Sequence, residues 1–421
     1  MKAIDTKRWF CAQIGAREHY AVPRALHRTG RLAALHTDFW AGPGTRNLLR
    51  ASGVLGSLAT RFHPDLADAT VRSHNLRALT WEARLRVKPG EGGRLYHGYC
   101  EVGRQFASAV REESRRRKWS PEMIFYAYDT GALEIFAYLR KQGVFCVLNQ
   151  MDPSRVEVNL VRGEQKRWPG WATGATDVPE AYFARREQEW ALADRVVVNS
   201  EFSRQAMIEQ GVAAEKVVVI PLCYETDGTN PAAEKAEREM GVAPSFSRHR
   251  PLRVLFLGQV ILRKGIQYLV EAAKLLREEP VQFTIVGPSG LTSEAIASVP
   301  DNVCFHGRVN RDETAAWYRE ADIFVLPTIS DGFAITQIEA MAHGLPVIAT
   351  PNCGAVVTDG VDGFIVPVRD GEALAKTIVR YAAEPGLLSA HRRAALTKSN
   401  QFTLEHLTDN LLQLEKLALR R

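Results

Sequence analysis

The chain has 421 residues, 46% hydrophobic and 24% charged, which suits two domains with ordinary soluble cores. No apolar run reaches the length of a membrane span and residues 1–16 lack the apolar core of a signal peptide, so a cytosolic protein is expected. The scattered cysteines (Cys11, Cys100, Cys146, Cys223, Cys304 and Cys353) have neither zinc-knuckle nor redox spacing, and a net charge of +6 fits a phosphate-bearing substrate, nucleic acid or an anionic membrane.

Residues 9–14 read as a first strand, turned by Gly15 and Ala16 into a helix that runs to about residue 28 and stops at Gly30. From 32 to about 98 the signals are mixed, with loops at 42–44 and 88–93. A helical stretch from near Gly103 ends in the densest basic cluster, Arg115, Arg116, Arg117 and Lys118, followed by Trp119. A solvated helix end and a contact with anionic membrane are both open for it, and no nucleic-acid motif accompanies it.

Strands at 123–128 and 144–148 enclose a helix ending near Gly143. Their ends carry Asp129 and the run Asn149, Gln150, Met151 and Asp152, polar groups placed where open α/β sheets bind ligands. Either they contact a ligand or they form a strand-end turn with Asp152 as a helix cap. Residues 177–193 are helical, and a strand at 195–199 leads to Ser200, a cap for the next helix or a ligand contact. Residues 224–250, rich in Pro, Gly, Ser and charge, read as a linker.

Beyond it, strands at 252–257, 281–286 and 303–306 alternate with helices at 265–278 and 311–320, the signature of a doubly wound parallel sheet. Arg263 and Lys264 fall between a strand end and a helix start, as ligands for an anion or as solvated loop cations. The segment 322–350 is a strand (323–326), a loop, a helix (333–343) closed by Gly344 and Pro346, and a strand (347–349). Asp331 lies in its loop, and Glu339 lies in its helix on the face of Ile335 and Ala342, where a carboxylate needs a partner. The N–H groups of Ala334, Ile335 and Thr336 would favour a phosphate at the helix start. Glu339 would then take ribose hydroxyls and Asp331 sugar hydroxyls. Singly, Asp331 reads as a cap and Glu339 as an ordinary helix residue. Jointly they read as a ruler for a nucleotide-sugar.

With Glu339-Ala340-Met341-Ala342, Gly344 and Pro346-Val347, the segment resembles the donor-site signature of the retaining glycosyltransferases of family four, the group 1 glycosyl transferases of GT-B fold. Asp331 stands for the family's first Glu, and Gly332, Phe333 and Ala334 for its Gly-Phe-Gly turn. The resemblance implies an α/β protein with two doubly wound Rossmann-like domains facing across a cleft: an acceptor-binding domain at 1–223, the linker at 224–250, a donor-binding domain at 251–398, and a C-terminal helix at 399–421 returning to the first domain. Both helical stretches at 391–397 and 404–419 are expected to pack there.

It further implies that Lys264-Gly265 is the diphosphate-binding Lys-Gly, with Arg263 taking over from the arginine that Gln259 replaces. Gly15 lies in the first domain's phosphate-facing turn, with Arg17 and His19 beside the cleft. Gly258 and Gly307 approach the ligand, Arg308 and Val309 flank the base, and Asn149 or Gln150 stands in for a histidine near the reacting sugar. The turn at 358–363, the strand at 364–366 and the helix at 372–383 match the family as well. The activity so implied is retaining, metal-independent transfer from a UDP- or GDP-type nucleotide-diphosphate-sugar to a hydroxyl of a glycan, a lipid-linked molecule or a small molecule. Arg263, Lys264 and Asp331 are its catalytic residues, no cofactor or metal takes part, and the location is the cytoplasm or the inner face of the cell membrane. Rival readings are a GT-B epimerase or non-catalytic nucleotide-sugar-binding protein, a phosphorylase, whose pyridoxal lysine nothing marks, and a dehydrogenase, whose Gly-x-Gly-x-x-Gly is missing after either first strand.

Overall fold

The computed structural model describes residues 8–42, 44–46, 49, 56–85, 92–174, 177–225 and 245–420. Of the expectations above, residues 1–7 of the start, Pro43 and 88–91 of the loops, and 226–244 of the linker lie outside these residues. Among the described residues no helix is long and apolar enough to cross a membrane.

The first half builds a seven-stranded sheet from β1 (Trp9–Gln13), β2 (Leu32–Thr37), β3 (Val71–Ser73), β4 (Ile124–Tyr128), β5 (Phe145–Asn149), β6 (Arg195–Val198) and β7 (Val217–Val219) in the order β3-β2-β1-β4-β5-β6-β7. The second half builds a six-stranded sheet from β8 (Leu252–Leu257), β9 (Val281–Val286), β10 (Val303–Gly307), β11 (Ile323–Leu326), β12 (Val347–Ala349) and β13 (Gly363–Ile365) in the order β10-β9-β8-β11-β12-β13. The strand pairings are parallel throughout. Central strands such as IFYAY of β4 and IFVL of β11 are apolar without alternation because helices cover both faces. In each sheet the strand order reverses beside the first strand, between β1 and β4 and between β8 and β11. A crevice opens there at the carboxyl ends of the strands.

The last helix, Leu404–Leu419, places Leu404, Leu407, Leu411 and Leu414 against Trp9 and Tyr126 of the first sheet. Each buried leucine contributes about 1.5–3 kcal/mol relative to exposure. Trp9 Nε1 donates to Glu415 Oε2 at 2.7 Å and Arg31 Nη1 to Glu415 Oε1 at 2.8 Å, so the helix end is fixed by polar contacts too. The preceding helix, Pro385–Ser399, does not make this return. Its Leu388 and Ala395 are buried in the second sheet's core, which corrects the expectation for residues 391–397.

Two further elements differ from their sequence reading. The helix expected from Gly103 begins a good deal earlier, at Gly92–Ser114, because Tyr96, Tyr99 and Val102 continue its spacing towards the N-terminus. The helix expected directly after Gly15 is instead a tight turn, Arg17–Tyr20, in which Glu18, His19 and Tyr20 have φ of 50°, 50° and 60°, and the α-helix starts only at Ala21. Left-handed backbone costs a non-glycine residue about 1–2 kcal/mol, so the packing around this turn must impose it. Tyr20, edge-on to Trp40 with ring centroids 5.3 Å apart, is part of that packing.

Candidate functional site

The loop after β8 and the loop after β11 are tied together by backbone. Ile329 N–H and Thr328 Oγ1 donate to the Arg263 carbonyl at 2.8 and 3.0 Å, and Arg263 Nη1 donates to the Ser330 carbonyl at 3.0 Å. Gly265 follows with φ of 75°, and a Cβ there would lie 1.7 Å from the Pro327 carbonyl oxygen, so only glycine lets the two loops close. Lys264 Nζ is thereby brought against Asp331 Oδ2, with Arg263 Nη1 3.8 Å from Asp331 Oδ1. Burial works against ionisation of Asp331, but Lys264 and Arg263 prevail and hold its carboxyl below the usual range.

Asp331 is not the cap of the following helix, Ile335–Ala342. Ala334 occupies that position, and the Phe333 N–H near the Asp331 carboxylate helps to keep it charged. The Ala334 N–H donates to the Cys353 carbonyl at 3.1 Å, which corrects its expected role as an open donor. Ile335 and Thr336, both half-buried, remain at the open end of the helix, where the backbone N–H groups have no intrahelical acceptor. Glu339 finds the partner its position requires, accepting from Tyr318 OH at 2.9 Å, while the Tyr318 ring stacks on His343. Gly258 and the exposed Gln259 end β8. Gly307 ends β10 with φ of 70°, and Arg308 and Val309 follow it, so these residues lie at the same carboxyl end of the sheet.

Gly332 presses this assembly on the first half. A Cβ there would lie 2.4 Å from the Met151 carbonyl oxygen and 2.8 Å from Asn199 Nδ2, at the ends of β5 and β6. The first half also sends the helix Arg155–Arg167 towards the second. Glu157 Oε2 accepts from Ser330 Oγ at 3.0 Å and from Arg263 Nη1 at 3.4 Å. Glu164, two turns on and fully buried, accepts from Gln267 Nε2 at 2.9 Å, Tyr268 OH at 2.8 Å and Arg369 Nε. Arg311 and His19 meet at another point between the halves.

Beside this junction lies a cavity of about 630 Å³ at the ends of β1 and β4, lined by Gly15, Arg17, Asp129, Asp152 and the rings of Tyr96, Tyr99, Tyr128 and Tyr182. The Gly15 N–H donates to Asp38 Oδ1 at 2.9 Å, so it is committed inside the first half and not open to a phosphate. Arg186, buried under Tyr182, bridges Asp129 and Asp152, with 2.9 Å to the latter, and burial pushes the Asp129 carboxyl up despite Arg186.

Asn149 and Gln150 do not line the cavity. Asn149 Nδ2 donates to Tyr126 OH at 2.7 Å, and Gln150, 0% exposed, spends its amide on Asp129, the Asp152 carbonyl and Trp190 Nε1. The Asn149 Nδ2 and both ends of the Gln150 amide are engaged within the core, and neither residue reaches the cavity. Ser200 is buried and caps the helix Glu201–Glu209 by accepting the Ser203 N–H at 3.1 Å. Sequence reasoning missed Glu157, Ser330, Tyr318 and the tyrosines. Glu157 and Glu164 stand seven residues apart on one helix face, a pairing that could have drawn attention to them.

Residues 251–384 match the family Glycosyl transferases group 1. The chain is 28% identical over 437 residues to the D-inositol 3-phosphate glycosyltransferase of Rhodococcus jostii (strain RHA1), covering 96% of this chain and 93% of that one. It is 30% identical over 252 residues to the enzyme of the same name from Streptomyces bingchenggensis (strain BCW-1), covering 55% of this chain and 54% of the relative, so that match spans about half of the relative's length. Among solved structures it is similar to a sucrose-phosphate synthase from Thermosynechococcus elongatus (TM-score 0.66, 21% identity, 98% of this chain and 100% of that one). It is also similar to HepE of Anabaena, solved in complex with UDP-glucose (TM-score 0.59, 16% identity, 96% of this chain and 98% of that one). Two parallel Rossmann-like sheets with a crevice between their switch points define the GT-B fold. The chain thus has the GT-B fold, and residues 251–384 are similar to the group 1 glycosyl transferases.

Proposed function

We propose that this protein is a retaining glycosyltransferase that moves a sugar from a nucleotide-diphosphate-sugar to a hydroxyl of an acceptor seated in the tyrosine-lined cavity. The observation that carries the reading is the convergence of Arg263, Lys264 and Asp331 with the open end of the helix Ile335–Ala342, at a switch point that faces that cavity. The occurrence of UDP-glucose in the HepE complex supports a donor of this kind.

In this reading the diphosphate takes Arg263, Lys264 and the N–H groups of Ile335 and Thr336. Glu339, oriented by Tyr318, accepts from the ribose hydroxyls, and Gly258, Gln259, Gly307, Arg308 and Val309 surround the base. Once the diphosphate holds Lys264, Asp331 is free to orient the sugar. The bond between the anomeric carbon and the phosphate oxygen breaks while that diphosphate charge is stabilised. The acceptor oxygen bonds to the same face of the carbon and passes its proton to the departing phosphate, so no enzyme nucleophile is consumed.

The reading is tested by offering UDP-, GDP-, ADP- and dTDP-sugars and following free nucleotide, with the anomeric configuration of the product read by NMR. Nucleotide binding with no turnover of any donor would favour the non-catalytic reading, and an inverted product would remove the retaining one. Because cations and helix donors are placed to hold the diphosphate, a chelator is expected to leave both nucleotide-induced stabilisation and turnover unchanged. Glu339→Ala is expected to weaken nucleotide binding by ~1–3 kcal/mol, since a charged acceptor is lost, with a smaller effect on turnover at saturating donor. Calorimetric titration with UDP and GDP checks it, and an unchanged affinity for both would return Glu339 to an ordinary helix residue.

A further inference from the structure

The second half offers a donor diphosphate two cations, and both are already engaged by carboxylates. Lys264 contacts Asp331, and Arg263 lies 3.4 Å from Glu157 and 3.8 Å from Asp331. Glu157 differs from Asp331 in origin: it comes from the first half, on the helix Arg155–Arg167, and reaches across the junction with only 19% of its side chain exposed. Its Oε2 also accepts from the buried Ser330 Oγ, next to Asp331 in the loop that carries the donor chemistry. Glu157 therefore stands where a phosphate oxygen would stand relative to Arg263. A doubly charged diphosphate cannot join two cations, Asp331 and a charged Glu157 in one partly buried space without an uncompensated excess of negative charge.

We propose that Glu157 is a positioning residue for Arg263, holding its guanidinium in place before a donor binds and surrendering it to the donor diphosphate by taking up a proton. The inference rests on the donor reading given above.

The groups that face Glu157 decide which acid yields. From the second half these are Arg263 and Asp331, the latter paired with Lys264. From the first half they are Asp152 and Tyr96, while Arg155 on its own helix is spent on Glu180 and Glu187. Burial, reinforced by Asp152 and Asp331, outweighs Arg263 and raises the Glu157 pKa to about 7, whereas Asp331 is held low. Two neighbouring acids pushed apart in this way divide the roles, Glu157 accepting the proton and Asp331 staying charged. The sign follows: protonated Glu157 releases Arg263, so donor affinity is full below its pKa and declines as pH rises above it.

The test is isothermal titration of UDP and GDP into wild type and Glu157→Gln. Glutamine keeps an acceptor for Ser330 Oγ, and comparison with the variant cancels the ionisation of the nucleotide itself. Relative to Glu157→Gln, wild-type affinity is expected to fall about tenfold between about pH 6 and about pH 8. Wild type should also take up protons on binding near neutral pH, seen as a dependence of the measured heat on the buffer's ionisation enthalpy, and the variant should lose this uptake. Parallel pH profiles with no difference in proton uptake would overturn the role of Glu157 while leaving the donor reading intact. Failure of both proteins to bind any nucleotide diphosphate at any pH would overturn both. Should Glu157→Gln fail to fold, proton uptake by wild type decides alone: its absence near neutral pH removes the proposal.

Discussion

Lys264→Ala is expected to lower turnover by on the order of 2–4 kcal/mol, about 30- to 1000-fold, while leaving the protein folded. The lysine sits behind a glycine that fixes the loop, its Nζ is in contact with Asp331, and Arg263 beside it is already shared with Ser330 and Glu157. Arg263 alone would therefore meet the diphosphate with fewer free donors and with Asp331 left facing it. The loss should fall on kcat more than on the affinity for bare UDP or GDP, because charge on the leaving diphosphate grows as the glycosidic bond breaks. Lys264→Arg should recover only part of the rate, since its planar fork does not reproduce a point charge against Asp331. Steady-state kinetics at saturating donor, with circular dichroism as a folding control, measures this. A rate within twofold of wild type would show that Lys264 is merely a loop cation.

What could be read in the sequence was what depends on neighbours along the chain. The apolar runs of β4, β5, β8 and β11 were legible because parallel strands buried on both faces need no alternation. The placement of Lys264-Gly265, Asp331 and Glu339 was legible because strand, loop and helix follow one another within a few residues. Illegible were the partners. Glu157 reaches Arg263 and Ser330 across more than a hundred residues of chain, Tyr318 comes to Glu339 from the preceding helix, and Cys353, beyond the next strand, takes the Ala334 N–H. The polar run after β5 misled for a related reason. Asn149 and Gln150 look like strand-end ligands until Tyr126 and Trp190 are seen to use their amides, and of that group Asp129, Met151 and Asp152 keep a face on the cavity. The cavity was opaque because its tyrosines come from two helices and the end of β4, far apart in sequence, and a single tyrosine carries no pattern of its own.

Asp331→Asn is expected to lower turnover by about 1.5–3 kcal/mol, the worth of a hydrogen bond to a charged group, and to hold or improve the affinity for bare nucleotide diphosphate. The second half of this expectation comes from the geometry. In the structure Asp331 neutralises Lys264, so removing its charge frees Lys264 for the diphosphate, while the sugar loses its charged acceptor. The substitution is clean with respect to the helix, because Ala334 and not Asp331 occupies the cap position and no side-chain bond is lost there. Asp331→Glu lengthens the side chain by one methylene towards the sugar. It should therefore change the ranking among donor sugars that share a nucleotide more than the affinity for that nucleotide. The check is kcat and KM across a set of UDP- and GDP-sugars, together with titration of the free nucleotides. If Asp331→Asn turns over every donor at the parent rate, Asp331 serves only to keep Lys264 in place. The group that orients the sugar must then come from across the crevice, and of the acids there Asp152 is the one that is half-exposed and lines the cavity, while its neighbours Asn149 and Gln150 are consumed by the core.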